Sequence, residues 1–533
     1  MNNADLIVRI LHRTGIRRGF GVPSGNVLPL MEAMRAGGID FVLTAHEGSA
    51  AFAADVTARV SGVPGLAIAT LGPGATNLTT GVGNAFLDRS PMIAITCNLH
   101  EAQLGRRIQM WIDHHQLFRP ITKATLPLRR GNIAATLVEA LRLAQSEPAG
   151  PVHLDLPEDV ALADTSEMVP APAAPTALPR AEAKALAEVE RAIAGARRPI
   201  VVIGANAMRM TDHSLLLRFI EKHRLPFATT TMAKGLIDED HPLAIGCIER
   251  ALRKVQRAFL TQADLIIGLG YDTIEVEYEA WIGATPLVHI DIERADTAAS
   301  VRLTHELIGD LDDAIRRLAD LSPIDNTWAI ETVSAHRDRF QRALRPASDQ
   351  FTPHAAIDIV RRVLPRDGVL AFDVGAHTHQ IASQWSAHAP RTFLITNGWS
   401  SMGFGLPAAI AAKLARPDLP VVCIVGDGCF QMTCGEVAVA KRQGLAIPFV
   451  VLDDRWLSLI RVKQQRRELP IYGTTVSEEA FMTPPAHYFG VPAVGIRSAS
   501  ALESALRTAL AARGPTVIEA QVDASHYSDT VFD

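Results

Sequence analysis

The chain has 533 residues, of which 48% are hydrophobic and 20% charged, and a formal net charge of −5. That length suggests about three domains, and the lack of a long basic run argues against nucleic acid or an anionic membrane as a partner. The five cysteines, Cys97, Cys247, Cys423, Cys429 and Cys434, are scattered and form no C-x-x-C pair. This argues against a disulfide framework or a structural zinc site and points to a reducing compartment. The first residues lack a secretory apolar region and no stretch approaches 18 uninterrupted apolar residues, so a cytoplasmic protein without a membrane span is expected.

Short Val- and Ile-rich runs recur along the chain, at 66–71, 92–96, 200–203, 265–269, 287–292, 421–425 and 449–452. Many end in Gly, Asp or Asn and are followed by helical patterns, as buried parallel strands are in α/β domains. Residues 164–182 are rich in Pro and Ala and read as a linker. Residues 321–352 are polar and read as a second connector carrying a helix. The expected fold is α/β, with three doubly wound parallel-sheet domains at 1–165, 183–330 and 350–530.

The motifs that carry chemistry fall in the first and third of these blocks. Gly426-Asp427-Gly428 follows the run 421–425, and a second strand ends in Asp453-Asp454, which places Asp454 27 residues after Asp427. Alone, the tripeptide is an ordinary strand-to-helix turn. The pair sets two carboxylates at the carboxyl ends of neighbouring strands, where open α/β sheets bind ligands. Mg²⁺ takes such hard oxygen ligands and shares them with a diphosphate. In the first block, Glu47 opens a helix of small residues, Gly48-Ser49-Ala50-Ala51, where a carboxylate also suits the helix macrodipole. Gly72-Pro73-Gly74-Ala75-Thr76-Asn77 and Asp88-Arg89-Ser90-Pro91 follow, and the third block carries Asn397-Gly398-Trp399-Ser400-Ser401-Met402-Gly403.

In these motifs the chain resembles the thiamin diphosphate enzymes of the acetolactate synthase and pyruvate oxidase type. It is most similar in pattern to their FAD-free acetolactate synthase-like members. The resemblance implies a pyrimidine-binding, a central Rossmann-like and a diphosphate-binding domain, and a homodimer or homotetramer with active sites between subunits. It implies that Glu47 is the catalytic carboxyl group, hydrogen-bonded to the cofactor's aminopyrimidine. Asp427, Asp454 and the carbonyl of Trp456 would hold Mg²⁺, with Asp454 standing where most members have Asn. Pro23, Gly72, Asn77, Ser400, Met402, Gly426, Gly428 and Cys429 would contact thiamin diphosphate, Met402 as the residue that bends it. The implied reaction is decarboxylation of a 2-oxo acid to an enamine, then C–C bond formation with a second carbonyl. The alternative is a 2-oxo acid decarboxylase that releases an aldehyde.

The middle block holds no G-x-G-x-x-G. Its Gly268-Leu269-Gly270-Tyr271-Asp272-Thr273-Ile274-Glu275 is unlike the segment of the FAD-binding synthases, so FAD is not expected. Segments 41–55, 69–91 and 229–235 are also similar to carboxyethylarginine synthases, which leaves the substrate open. Aligned on Pro120-Ile121-Thr122-Lys123, Met110 takes the place of an acetolactate synthase glutamine, with Gln109 one residue earlier. His114 is a pocket candidate or a helix-surface histidine. A helix starting near 456 would place Ile460 towards the substrate, and Lys463 would face an anionic substrate group or solvent.

Overall fold

The apolar runs form strands because their side chains are buried on both faces. Gly65–Thr70, Met92–Asn98, Pro199–Ile203, Leu265–Leu269, Leu287–Asp291 and Pro448–Asp453 are buried along their whole length. Strands of this kind need helices on both sides of the sheet, which favours parallel order and crossover helices. The structure is a computed structural model that describes residues 1–172, 174–478 and 484–531.

Three sheets result among the described residues. The first runs Asp40–Leu43, Arg18–Gly21, Gly65–Thr70, Met92–Asn98, Pro151–Pro157, Ala124–Pro127. The second runs Leu303–Ile308, Leu287–Asp291, Leu265–Leu269, Pro199–Ile203, Phe227–Thr229, Ala244–Cys247. The third runs Phe393–Leu394, Val369–Phe372, Val421–Gly426, Pro448–Asp453, Thr516–Gln521, Val491–Ile496, His487–Tyr488. All neighbours pair in parallel except the last two strands, which form an antiparallel edge.

Each sheet reverses its winding direction beside its first strand, and a crevice opens at the carboxyl ends of the strands that flank this reversal. In the first sheet these strands are Arg18–Gly21 and Gly65–Thr70, so the turns at Pro23 and Gly72 share the crevice. In the third they are Val369–Phe372 and Val421–Gly426, which lead into Asp373 and Asp427. The topology alone therefore gathers both sets of motifs at sheet ends.

The first and third units share a core. Phe52, Ala51 and Val82 of helices Glu47–Ser61 and Pro73–Leu87 belong to one buried cluster with Phe404, Leu406 and Ile410 of helix Gly405–Ala415. Helix Ile330–Ala343, expected in a connector, packs instead on the edge strand Ala244–Cys247. Gly246 leaves room for Phe340 there, since a Cβ would lie 3.3 Å from its ring.

Candidate functional site

The first half of the site is built around Glu47. His46 caps the helix by accepting the Gly48 N–H on Nδ1 (3.0 Å), which satisfies one of the orphan donors of the first turn. Glu47 is 8% exposed and accepts a hydrogen bond on Oε2 from Asn77 (3.0 Å). Glycines make this closeness possible. A Cβ at Gly81 would stand 2.4 Å from the Ala51 Cβ, and one at Gly74 would stand 3.3 Å from Glu47 Oε1. Gly72 has φ +60°, and a Cβ there would meet the Met110 carbonyl at 2.5 Å. Pro23 is exposed, and the neighbouring Ser24 hydroxyl donates to Thr70 (2.5 Å).

The second half is held by two buried carboxylates, Asp373, which carried no sequence signal, and Asp88, whose motif was noted without this role. Asp373 accepts the Val374 (2.8 Å) and Gly403 (3.0 Å) N–H groups on Oδ1 and the Gly405 N–H (2.9 Å) on Oδ2. Asp88 accepts the Gly398 N–H (2.7 Å) on Oδ1, and the Asn397 N–H (3.1 Å) and Arg59 (2.7 Å) on Oδ2. Arg59 also pairs with Asp55 and donates to the Ile395 carbonyl. Together they fix both ends of the segment bearing Ser400, whose φ is +49°, and Met402.

Asp427 and Asp454 end adjacent strands and face one cavity. Asp427 accepts the Gly428 (2.7 Å) and Arg455 (2.8 Å) N–H groups. Asp454 accepts the Trp456 N–H (3.0 Å) and the Ser458 hydroxyl (2.7 Å). Burial and then the Asp454 charge push Asp427 up to about 8, and burial pushes Asp454 up to about 6. Neighbouring Asp453 is buried, with both carboxylate oxygens unpartnered. Like charges crowded in a desolvated place call for a cation, and this oxygen-only donor set fits a hard dication.

The cavity, about 200 Å³, is lined by Ser400, Met402, Gly426, Gly428, Cys429, Trp456 and Ile460 as well as the two carboxylates. Two lining residues had no sequence signal: Tyr527 and His377, whose Nε2 is buried without a partner. Burial pushes His377 down to about 4, so the ring is neutral at pH 7. Cys429 donates its thiol to the Val374 carbonyl (3.0 Å).

The structure does not bring all the expected residues together. Glu47, Gly72 and Asn77 do not line this cavity within the chain. Gln109 is exposed, and Met110 is 40% exposed with φ +64°. Ile460 lines the cavity, although 43% exposed. Lys463 sits on helix Ser458–Arg466, half-buried and outside the cavity lining. Burial, Arg250 and Arg467 lower its pKa. His114 is not on a helix surface; it is buried at the start of helix His114–Phe118, beside the Gly72 turn.

Comparison with known proteins agrees with this layout. Residues 1–117 match the N-terminal TPP-binding domain of thiamine pyrophosphate enzymes, residues 186–318 their central domain and residues 373–520 their C-terminal TPP-binding domain. A probable acetolactate synthase large subunit of Methanococcus aeolicus is 31% identical, covering 98% of this chain and 92% of its own length. That of Methanocaldococcus jannaschii is also 31% identical, with coverage of 98% and 92%. The acetolactate synthase isozyme 1 large subunit of Escherichia coli is 30% identical, with coverage of 98% and 94%. With three thiamine pyrophosphate enzyme domains in order and about thirty per cent identity over nearly its whole length, the chain belongs to the acetolactate synthase large-subunit family of thiamine pyrophosphate enzymes.

Proposed function

We propose that this chain is a thiamin diphosphate- and Mg²⁺-dependent carboligase, which decarboxylates a 2-oxo acid such as pyruvate and joins the remaining fragment to a second carbonyl compound. The observation that carries this reading is the pair Asp427 and Asp454 at adjacent strand ends, facing the cavity of Met402 and Gly428. When bound, thiamin diphosphate supplies the electron sink beside the substrate carbonyl.

The chain's own residues do the rest. Asp427, Asp454 and the Trp456 carbonyl hold the metal, and the backbone at Gly426, Gly428 and Cys429 takes the diphosphate. Ser400 and Met402 hold the aminopyrimidine. Glu47 presents its carboxyl group, oriented by Asn77, to the aminopyrimidine. Glu47, Gly72, Asn77 and Pro23 stand outside the metal cavity of their own chain, which supports a homo-oligomer in which a second copy completes the site. Among the described residues no helix is long and apolar enough to cross a membrane, in keeping with a cytoplasmic assembly.

We read the central domain as flavin-free. Tyr271 and Tyr278 stack at 4.2 Å, and Trp281 donates to the Tyr271 hydroxyl (2.9 Å). These rings are buried, and the adjoining cavity is lined by Asp272, Glu277, Glu279, Asp291, Glu293 and Asp296 against Arg89 and Arg294, with Arg89 already paired to Asp272 and Glu293. The acidic excess disfavours a dinucleotide's diphosphate. Lys463 is our candidate for an anionic group on the substrate, since it stands on helix Ser458–Arg466, whose first turn lines the cavity.

The test is CO₂ release from a panel of 2-oxo acids, pyruvate included, with thiamin diphosphate, Mg²⁺ and product analysis. A hydroxy-oxo acid product supports the carboligase. Aldehyde alone would make the chain a decarboxylase, and no CO₂ would sink the reading.

A further inference from the structure

Beside the Gly72 turn lies a chain of hydrogen bonds that joins three histidines through two threonines, with Asn98 Nδ2 also 3.5 Å from His114 Nδ1 at its inner end. His115 Nδ1 meets Thr125 Oγ1 at 2.6 Å, and Thr125 Oγ1 meets His153 Nδ1 at 2.7 Å. His153 Nε2 meets Thr96 Oγ1 at 2.7 Å, and Thr96 Oγ1 meets His114 Nδ1 at 2.9 Å. His114 Nε2 then accepts the Gly72 N–H at 3.4 Å. The outer end is open, with the His115 side chain 37% exposed in a cavity of about 670 Å³. The middle is sealed: His153 and Thr96 are fully buried, and Phe118 stacks on the His153 ring at 4.3 Å.

Every junction of this chain is amphoteric. A hydroxyl gives one hydrogen bond and takes another, and a neutral imidazole does the same across its two nitrogens. Two polarities therefore satisfy every histidine–threonine bond, one with the protons directed outward from His114 and one with them directed inward, and only the outward one leaves His114 Nε2 able to accept the Gly72 N–H. The Gly72 N–H favours the outward polarity, but a contact of that length holds it weakly. Burial pushes His153 down to about 3, which keeps the central ring neutral and able to accept as well as donate. Asp155 stands beside both ends, 3.4 Å from His114 Nδ1 and 3.7 Å from His115 Nε2, and Asn98 holds it in place (2.9 Å).

We propose that His115, Thr125, His153, Thr96 and His114 are a proton relay between solvent and the active-site turn that packs against Glu47. The proposal rests on the functional reading above. Two 2-oxo acid anions and one proton give one hydroxy-oxo acid anion and one CO₂, so each turnover takes up a proton, as does simple decarboxylation to an aldehyde. For an inward pass the protonated His115 gives its Nδ1 proton to Thr125, and Thr125 gives its own to His153 Nδ1. His153 gives its Nε2 proton to Thr96, Thr96 gives its own to His114 Nδ1, and His114 releases its Nε2 proton into the site. Each residue between the ends gains one hydrogen and loses one, the threonines on a single oxygen and His153 across its two nitrogens. The five are positioning and relay residues, not groups that bond the substrate.

Thr96→Val removes the hydroxyl that makes two of the bonds and keeps the shape, whereas Thr96→Ser keeps the hydroxyl. In the holoenzyme, Thr96→Val should lower kcat about tenfold or more, in the lower range of proton-transfer effects, with KM nearly unchanged. Added imidazole should restore much of the loss, and Thr96→Ser should stay near wild type. A Thr96→Val kcat within about twofold of wild type (a difference well below one decade), or a loss that imidazole does not relieve, overturns the relay. If the wild type releases no CO₂ from any 2-oxo acid, the functional reading fails, and the relay is judged on the cofactor-free protein. There, ¹⁵N NMR of the histidine rings in Thr125→Val should show a changed tautomer at His114, two junctions away. An unaltered His114 refutes the relay on that ground alone.

Discussion

Asp88→Ala tests whether the cofactor segment is held from the other sheet. The carboxylate is buried and accepts three donors: the Asn397 and Gly398 N–H groups and Arg59. Arg59 keeps its two bonds to Asp55 (2.8 and 2.6 Å) after the change, so its charge stays paired and the full penalty for an isolated buried ion does not arise. The loss is then two unsatisfied backbone donors and one charge-assisted bond, together about 3–5 kcal/mol. Asp88→Asn keeps one acceptor oxygen and should lose about 1–2 kcal/mol. The loss is local, so hydrogen exchange is the assay. Amides of residues 396–404 should exchange faster by about two to three decades in Asp88→Ala, while those of Leu265–Leu269 in the central sheet stay as they were. Thiamin diphosphate affinity should fall with it, because Ser400 and Met402 ride on the loosened segment. Unchanged exchange at 396–404 would refute the argument that Asp88 anchors it.

The metal pair makes a graded prediction: Asp427→Ala abolishes Mg²⁺-dependent cofactor binding in titration calorimetry, while Asp454→Asn, which keeps a hard oxygen, retains it within about tenfold. Burial holds His153 at about 3 and His336 and His526 at about 4 in the folded chain, all below the ordinary value of 6.5. The unfolded chain therefore binds more protons between those limits, so this stability is complete above pH 6.5 and is lost as pH falls towards 3–4. From pH 7.5 to 5.5 these three rings should remove about 4 kcal/mol, while the buried carboxyls Asp427, Asp454, Glu275 and Glu436 act in the opposite direction; the histidine share is therefore read by comparison, the urea midpoint of His336→Gln/His526→Gln changing more favourably on acidification than that of wild type, and an equal change in both would contradict the assignment. Lys463→Met should raise KM for the true substrate about tenfold if the ammonium meets an anionic group, and an unchanged kcat/KM would remove Lys463 from the channel.

The sequence made legible what is local or periodic. The buried strands read as apolar runs because parallel strands covered on both faces have no polar alternation, and 421–425 and 449–452 fall inside Val421–Gly426 and Pro448–Asp453. Asp427 and Asp454 stood out because each directly follows or ends such a run, and Glu47 only through the family resemblance carried by the ordered motifs around it. What escaped were partners far apart in the chain. Asp88 meets Asn397 across 309 residues, Asp373 meets Gly405 across 32, and no periodicity marks either. His114 drew notice, but its links through Thr96, Thr125 and His153 to His115 depend on strand register in the first sheet, where Thr96 lies opposite Asp155 and Thr125 opposite His153. The loop holding Gln109 and Met110 obeys no pattern, so its side-chain directions were not readable from spacing.

The most direct test of the account is Glu47→Gln, with cofactor binding and CO₂ release measured side by side on the best 2-oxo acid substrate. Glutamine keeps the size of Glu47 and still accepts from Asn77, but it has no carboxyl proton to hold. The account predicts thiamin diphosphate bound within a few-fold of wild type and turnover lowered about 10²- to 10⁴-fold. Turnover close to wild type would contradict the assignment of Glu47, and with it the proposal that a second copy's first domain completes the site at Asp427 and Asp454.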